Sequence, residues 1–447
     1  MTARASTSRA ATTARHIPAT TTRRAATSAK RAQPAATQTL RGPQRERHDP
    51  DYLLLFSIVA LAAMGILMVY SSTGVNSLLV DDPIGDVGSQ VLWGVLGVAA
   101  MLVLMRIDYR YLRLISVPAF ILAVVLLVLV LLPSIGPIEP QVINDSARWL
   151  KIGPLPAMHP AEFAKLALVV YLAHWLARRG LQVRSFANGM LPFLFIVGPV
   201  LALVMLEPDL GTTGVLAMIA LTMLFVAGGS LLQMAALIPV GIAAVVVAVT
   251  AQPYQLQRVH TFLDPWAVAT GDGYQTVQGL LAMGSGGLFG IGLGQGSQPG
   301  SLVLPQAHND FVFAHVSQEL GFIGGIAVIC LFLLFAYRGI RVALGAPDTF
   351  GALLAVGITG WLVLQAFINI AVVVVLVPTT GITLPFVSDG GSSLMVSFAA
   401  IGILLSVSRE TLPRGTWNDA DPDRRRWYRR PRLPRAGGRP VSSRAGA

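Results

Sequence analysis

Glu162 and Lys165 stand three residues apart in His159-Pro160-Ala161-Glu162-Phe163-Ala164-Lys165, a spacing that puts both on one helix face. Pro160 suits a helix start, and a glutamate in a first turn is favoured by the helix dipole. The pair has two readings. It is a dipole-stabilising Glu with a paired or snorkelling Lys, or a polar pair facing a cavity and holding a cation or an anionic ligand. Asp310, in Ala307-His308-Asn309-Asp310-Phe311, is a lone carboxylate where a long loop meets an apolar run. It can cap the next helix, or take a proton as a general base, a role that typically contributes about 10²- to 10⁴-fold. His308 and His315 lie near one face, but no HExxH or other metal-ligand spacing occurs. The run Gly284-Ser285-Gly286-Gly287-Leu288-Phe289-Gly290 has no G-x-G-x-x-G register and no following Lys, so nucleotide binding is disfavoured and the glycines read as backbone flexibility or close packing, a re-entrant segment at most. Ser388 to Ser393 lacks a nucleophile-elbow pattern.

The elements that must hold these residues are apolar. Of 447 residues, 54% are hydrophobic and only 12% charged, against about 25% charged in a soluble domain. The apolar residues come in blocks near the roughly 20 residues that cross a bilayer core. Ten spanning segments are predicted, at 52–72, 87–105, 113–133, 161–178, 190–206, 210–228, 231–250, 311–337, 350–377 and 384–408. The expected fold is all-α, a polytopic membrane protein with about ten transmembrane helices and one long extracytoplasmic loop, 251–310. Within that loop Tyr274 to Met283 reads as a short helix. Residues 1–50 and 411–447 read as basic, disordered cytoplasmic tails flanking a membrane domain at 51–410.

A net charge of +11 would suggest nucleic acid for a soluble chain, but its distribution excludes that. Of 33 Lys and Arg, 10 precede residue 50 and 11 follow from Arg409 onward, while most others sit in three short connections near Arg106–Arg113, Arg178–Arg184 and Arg338–Arg341. This is the positive-inside pattern. With an even span count it places both termini and those connections on the cytoplasmic face. Asp310, Arg148 and the Glu207-Pro208-Asp209 turn then lie on the outer face. Cys330 stands alone in an apolar run and forms no intrachain disulfide.

Six stretches taken in order, Asn144–Trp149, Pro160–Leu168, Glu207–Gly214, Gly284–Gly292, Leu304–Gly321 and Pro378–Ser393, resemble the SEDS family of bacterial shape, elongation, division and sporulation proteins, typified by RodA and FtsW. The resemblance covers about 51–408. It implies a ten-helix peptidoglycan glycosyltransferase of the bacterial cytoplasmic membrane that polymerises lipid II on the outer face and works with a class B penicillin-binding protein. Position by position, it implies that Asp310 is the essential aspartate, that Glu162 and Lys165 form a donor, diphosphate or cation site, and that Arg148, His308, Ser392 and Ser393 support them. A divalent cation (Mg or Mn) at Glu162, and no nucleotide, follows from the same resemblance. The chain departs from the family pattern at Asp145, Asn309, Gln318 and Asp389. Two other functions stay open at this stage: a lipid II flippase, or a scaffold that only activates a partner.

Overall fold

The computed structural model describes residues 48–73, 85–134, 136–143, 146–153, 156–271, 273–296, 310–388 and 390–410. Residues 1–47 and 411–447 of the tails, together with His308, Asn309, Asp145 and Asp389, lie outside the described residues. The chain runs α1 (Tyr52–Thr73), α2 (Gly85–Arg106), α3 (Leu112–Leu131), β1 (Ile138–Ile143), β2 (Ser146–Ile152), α4 (Pro160–Arg179), α5 (Leu191–Leu206), α6 (Leu210–Val226), α7 (Leu231–Ala251), α8 (Pro253–Leu263), α9 (Tyr274–Ser285), α10 (Val312–Glu319), α11 (Gly321–Gly345), α12 (Thr349–Val373) and α13 (Ser392–Ser408).

Six of these helices are long and apolar enough to cross a bilayer, namely α1, α3 with its preceding turn, α5 with its preceding turn, α7, α11 and α12. Parts of α2 and all of α6 and α13 are shorter apolar helices. The remaining expected span is α4, which carries the Glu162–Lys165 pair and is buried along most of its length. The helical, multi-pass membrane fold expected from the sequence is therefore present. Its core is α12, flanked by α4, α6 and α11, with α2 packed along α13 and α3 along α4. By contrast α7 buries no residue and touches only α6 and α8 closely.

Three details correct the sequence reading. β1 and β2 pair antiparallel, Glu139 with Lys151 and Gln141 with Trp149, within a chain read as all-α. The eighth span begins at Gly321, not at 311. Gly321 takes φ +71°, a conformation L side chains rarely adopt, and it separates α11 from the fully buried α10. Finally, the ninth span stops at Val373 and the tenth starts at Ser392, leaving a non-helical segment, described at 374–388 and 390–391. The helix expected at Tyr274 is α9, and the long loop also holds α8.

The two ends of the body differ in connection. At one end the main-chain N–H of His48 donates to the carbonyl of Arg409 (2.9 Å), so α1 and α13 are tied together there. At the other lie β1, β2, α8, α9, α10 and the non-helical segment after α12.

Candidate active site

Asp310 sits one residue before the cap of α10. Phe311 occupies the cap position and offers no side-chain oxygen, so Asp310 is not the N-cap that one reading allowed. Instead, its main-chain carbonyl accepts from Asn369 Nδ2 (2.8 Å), and the same amide donates to the carbonyl of Ile382 (2.7 Å). Gly381 follows the same path at φ +71°, and a Cβ there would lie 3.7 Å from Asp310 Oδ2. Glycine thus lets the non-helical segment pass close to the carboxylate in a left-handed conformation. The carboxylate lines a cavity of about 180 Å³ with Tyr254, Arg258, Thr261, Gln275 and Thr379. Burial pushes its pKa up to about 6. Arg258 and, less strongly, Arg148 oppose the rise, while Asp209 adds to it. A carboxylate poised near 6 is a stronger base than an exposed one and still ionised at neutral pH.

Glu162 and Lys165 come together as their spacing requires, but they face inward. Lys165 Nζ lies 2.7 Å from Glu162 Oε1 and 2.7 Å from Gln365 Oε1, and 5.3 Å from the centre of the Trp361 ring. Lys165 is 1% exposed and Glu162 7%. Gln365 in turn accepts from Trp361 Nε1 (2.8 Å) and donates to the carbonyl of Thr383 (3.0 Å). Gln365 and Asn369 are one turn apart on α12, so a single helix face holds the buried pair, the non-helical segment and Asp310's main chain.

Behind the non-helical segment is an acidic cluster. Arg148, on β2, donates to the carbonyls of Glu207 (3.1 Å) and Pro208 (2.6 Å), fixing the α5–α6 turn. Asp209 caps α6 by accepting from the N–H of Thr212 (2.9 Å) and lies 3.8 Å from His159 Nε2. His159 packs edge-on against Trp149, and burial lowers its pKa, so it is neutral. The Glu207 carboxyl is fully buried with no hydrogen-bond partner on either oxygen among the described residues. Burial, reinforced by Asp209, pushes its pKa up to about 9, so it is protonated at neutral pH. Ser392, fully buried at the start of α13, accepts from the His159 N–H (3.0 Å) and ties α13 to α4. Ser393 is buried beside it, its own N–H bonded to Gly390. Arg148 and Ser392, expected to support the site, each bond main-chain groups here. His308 falls outside the described residues.

Glu162 is the residue expected to bind a metal. Its Oε1 faces an ammonium group, and among the described residues no three His, Cys, Asp or Glu side chains converge. These residues do not compose a metal site of the chain's own.

Sequence reasoning missed Arg258, Gln365, Asn369 and Glu319. Glu319 is buried at the end of α10, and its Oε1 accepts from the Ser71 hydroxyl and from the N–H groups of Gly294 (3.0 Å) and Gly296 (3.3 Å). The glycine run before it packs backbone to backbone on α10. Ile291 and Gly292 donate to the carbonyls of Gln318 and Glu319, and a Cβ on Gly290 would sit 2.0 Å from the latter. The close-packing reading of that run holds. A search for polar residues inside apolar runs would have found Gln365 and Asn369, since uncharged amides at membrane depth are also costly.

The FTSW_RODA_SPOVE family, described as cell cycle protein, matches residues 52–412. Stage V sporulation protein E of Bacillus subtilis is 41% identical over 365 residues, 81% of this chain and 98% of that protein. The probable peptidoglycan glycosyltransferase FtsW of Trichlorobacter lovleyi is 39% identical over 80% of this chain and 93% of its own length. Among solved structures, one from a peptidoglycan synthase complex that coordinates polymerization and crosslinking has a TM-score of 0.65 at 29% identity, covering 80% of this chain and 98% of that one. The rod shape determining protein RodA of Thermus thermophilus has a TM-score of 0.59 at 28% identity, covering 81% and 98%.

Proposed function

The chain belongs to the FtsW, RodA and SpoVE family, and from that premise we propose how its site works as a peptidoglycan glycosyltransferase. The substrate is lipid II, and the product is a glycan strand built at the outer face of the cytoplasmic membrane, with both termini on the cytoplasmic side. The observation that carries this reading is Asp310. It is a partly buried carboxylate raised toward neutrality, held by its main chain from α12, in the wall of a cavity at the end of the bundle away from His48 and Arg409.

In the reaction, Asp310 accepts the proton of the acceptor sugar hydroxyl as its oxygen attacks the anomeric carbon of the donor. The bond to the lipid diphosphate breaks, and the electron pair leaves with that group. Holding both lipids in one groove supplies proximity. Glu162 and Lys165 act from behind, through Gln365 and Thr383, by fixing the wall of the cavity. A divalent ion belongs with the substrate diphosphate, since Mg²⁺ is usually bound through substrate phosphates with few protein carboxylates; no step here is assigned to it. A class B penicillin-binding protein is the proposed partner in the membrane.

Purified protein in liposomes containing lipid II tests the reading directly. Polymer formation in the presence of moenomycin, which silences polymerases of the other class, is the expected result. Translocated monomer without polymer would make it a flippase, and neither product, with the partner present, would make it a scaffold.

A further inference from the structure

The cavity beside Asp310 carries one basic side chain in its wall among the described residues, Arg258 on α8. Its guanidinium stands 4.5 Å from the centre of the Tyr254 ring, donates through Nη1 to the carbonyl of Thr379 (3.0 Å), and donates through Nη2 to the Tyr254 hydroxyl (2.5 Å). These contacts fix the plane of the group. They use two of the five N–H donors of a guanidinium, and the group shares the cavity with Asp310 without a hydrogen bond between them.

The other cations near this end stand off the cavity wall. Lys165 is 1% exposed and bonded to Glu162 and Gln365 inside the bundle. Arg148 donates to the carbonyls of Glu207 and Pro208 at the α5–α6 turn and does not line the cavity. Lys151 is on β2, paired in register with Glu139 and off the cavity wall. An anionic leaving group entering the cavity therefore meets Arg258 first.

We infer that Arg258 binds the diphosphate of the lipid-linked donor, opposite the base. A planar guanidinium matches two phosphate oxygens with parallel N–H bonds, which a point-charge ammonium does not. The placement divides the reaction between two side chains in one cavity. The acceptor proton goes to Asp310, while the diphosphate that departs with the electron pair of the broken glycosidic bond is held by Arg258. The inference rests on the glycosyltransferase reading, and it moves the diphosphate contact from the Glu162–Lys165 pair to α8.

The test uses full-length protein in nanodiscs and reads binding without turnover. Wild type, Arg258→Gln and Arg258→Lys are titrated with a polyprenyl diphosphate and with the monophosphate of the same chain length, after thermal melts establish that each variant is folded. The expected result is a loss of diphosphate affinity of tenfold or more in Arg258→Gln, a smaller loss for the monophosphate, and an intermediate value for Arg258→Lys. Should Arg258→Gln retain wild-type diphosphate affinity, or weaken both lipids equally, the inference is overturned. A protein that binds diphosphate through Arg258 yet makes no polymer would instead sink the glycosyltransferase reading and leave the anion site standing.

Discussion

Asp348 and Glu207 are both acidic residues at helix junctions, and the molecule treats them in opposite ways. Asp348, at the end where His48 meets Arg409, caps α12 through the N–H of Gly351 (2.7 Å), pairs with Arg113 (2.7 Å) and Arg110 (3.4 Å), and accepts from the Tyr109 hydroxyl (3.2 Å). Nearby, Arg110 reaches Glu410 (2.8 Å), and Arg338 grips both oxygens of Asp51. Charges there are matched, partly wet and arranged as a clamp. Glu207, at the Asp310 end, has neither oxygen bonded, and Glu162 Oε2, His159 Nδ1 and Asn369 Oδ1 are likewise buried without a hydrogen-bond partner among the described residues. Buried polar groups are normally satisfied, and exceptions gather where a site needs them. Asp348 at one end serves cohesion, while at the other the Glu207 carboxyl is left without a hydrogen-bond partner among the described residues.

The comparison can be broken most forcefully at Glu162. Glu162→Gln leaves Lys165 charged in the interior, and removing one partner of a buried pair costs about 3–5 kcal/mol. A fall of that size in a denaturation midpoint or in detergent half-life is expected. An unperturbed variant would mean that the pair is not structural and would return it to direct substrate contact.

Next in size is Asp310→Asn. The substitution keeps shape and leaves the main-chain bond from Asn369 intact, so the melting temperature should stay near wild type while lipid II polymerisation falls by roughly 10²-fold or more. Activity within a few-fold of wild type would reduce Asp310 to a structural residue.

Asn369→Leu sharpens the contrast from within α12. It removes both donors to the carbonyls of Asp310 and Ile382, at a cost of about 1–3 kcal/mol for the buried carbonyls left unmet. Because the residue positions the base, kcat should drop more than KM rises, and Asn369→Gln should fail to rescue, its longer amide misplacing both bonds. Equal effects of the Leu and Gln variants on stability, with turnover unchanged, would count against positioning.

At the clamp end, Arg113→Met should cost no more than about 1 kcal/mol, since its pair with Asp348 is partly exposed and screened, and it should leave polymerisation unaltered. The mildest expectation concerns pH. Asp310 must be ionised to accept a proton, so activity should rise with pH through about 6 and level off above. Arg258 and Arg148 hold that value down and Asp209 raises it, so Arg258→Gln should move the rising limb to higher pH. A limb that stays fixed in the variant would separate Asp310 from the titration.

Most of the fold could be read from apolar block length, because a bilayer imposes one length on every span. The polar α4 was found through the same blocks, although only its neighbours make it a core helix. Where the reading slipped, the cause is local. In β1, Ile138, Val142 and Ile143 surround a proline, a pattern too short to mark a strand. The break between α10 and α11 depends on one glycine with positive φ, which periodicity does not register. Asp310, Glu162 and Lys165 stood out because a charge in an apolar setting is conspicuous. Arg258 did not, being one cation in an amphipathic loop helix whose importance comes from the cavity it faces. Gln365 and Asn369 carry no charge, and their bonds to residues up to 200 positions away exist only in three dimensions.

The bond from His48 to Arg409 has a practical corollary. Because folded domains with adjacent ends commonly tolerate circular permutation, a linker of a few residues from 48 to 410 would close this body into a ring. It could then be reopened at the short turn between α6 and α7, on the same side of the bundle as the original ends. Such a rearranged chain would carry its new ends beside α7, the helix least embraced by its neighbours, offering a route to attach probes there without burdening the face that holds Asp310.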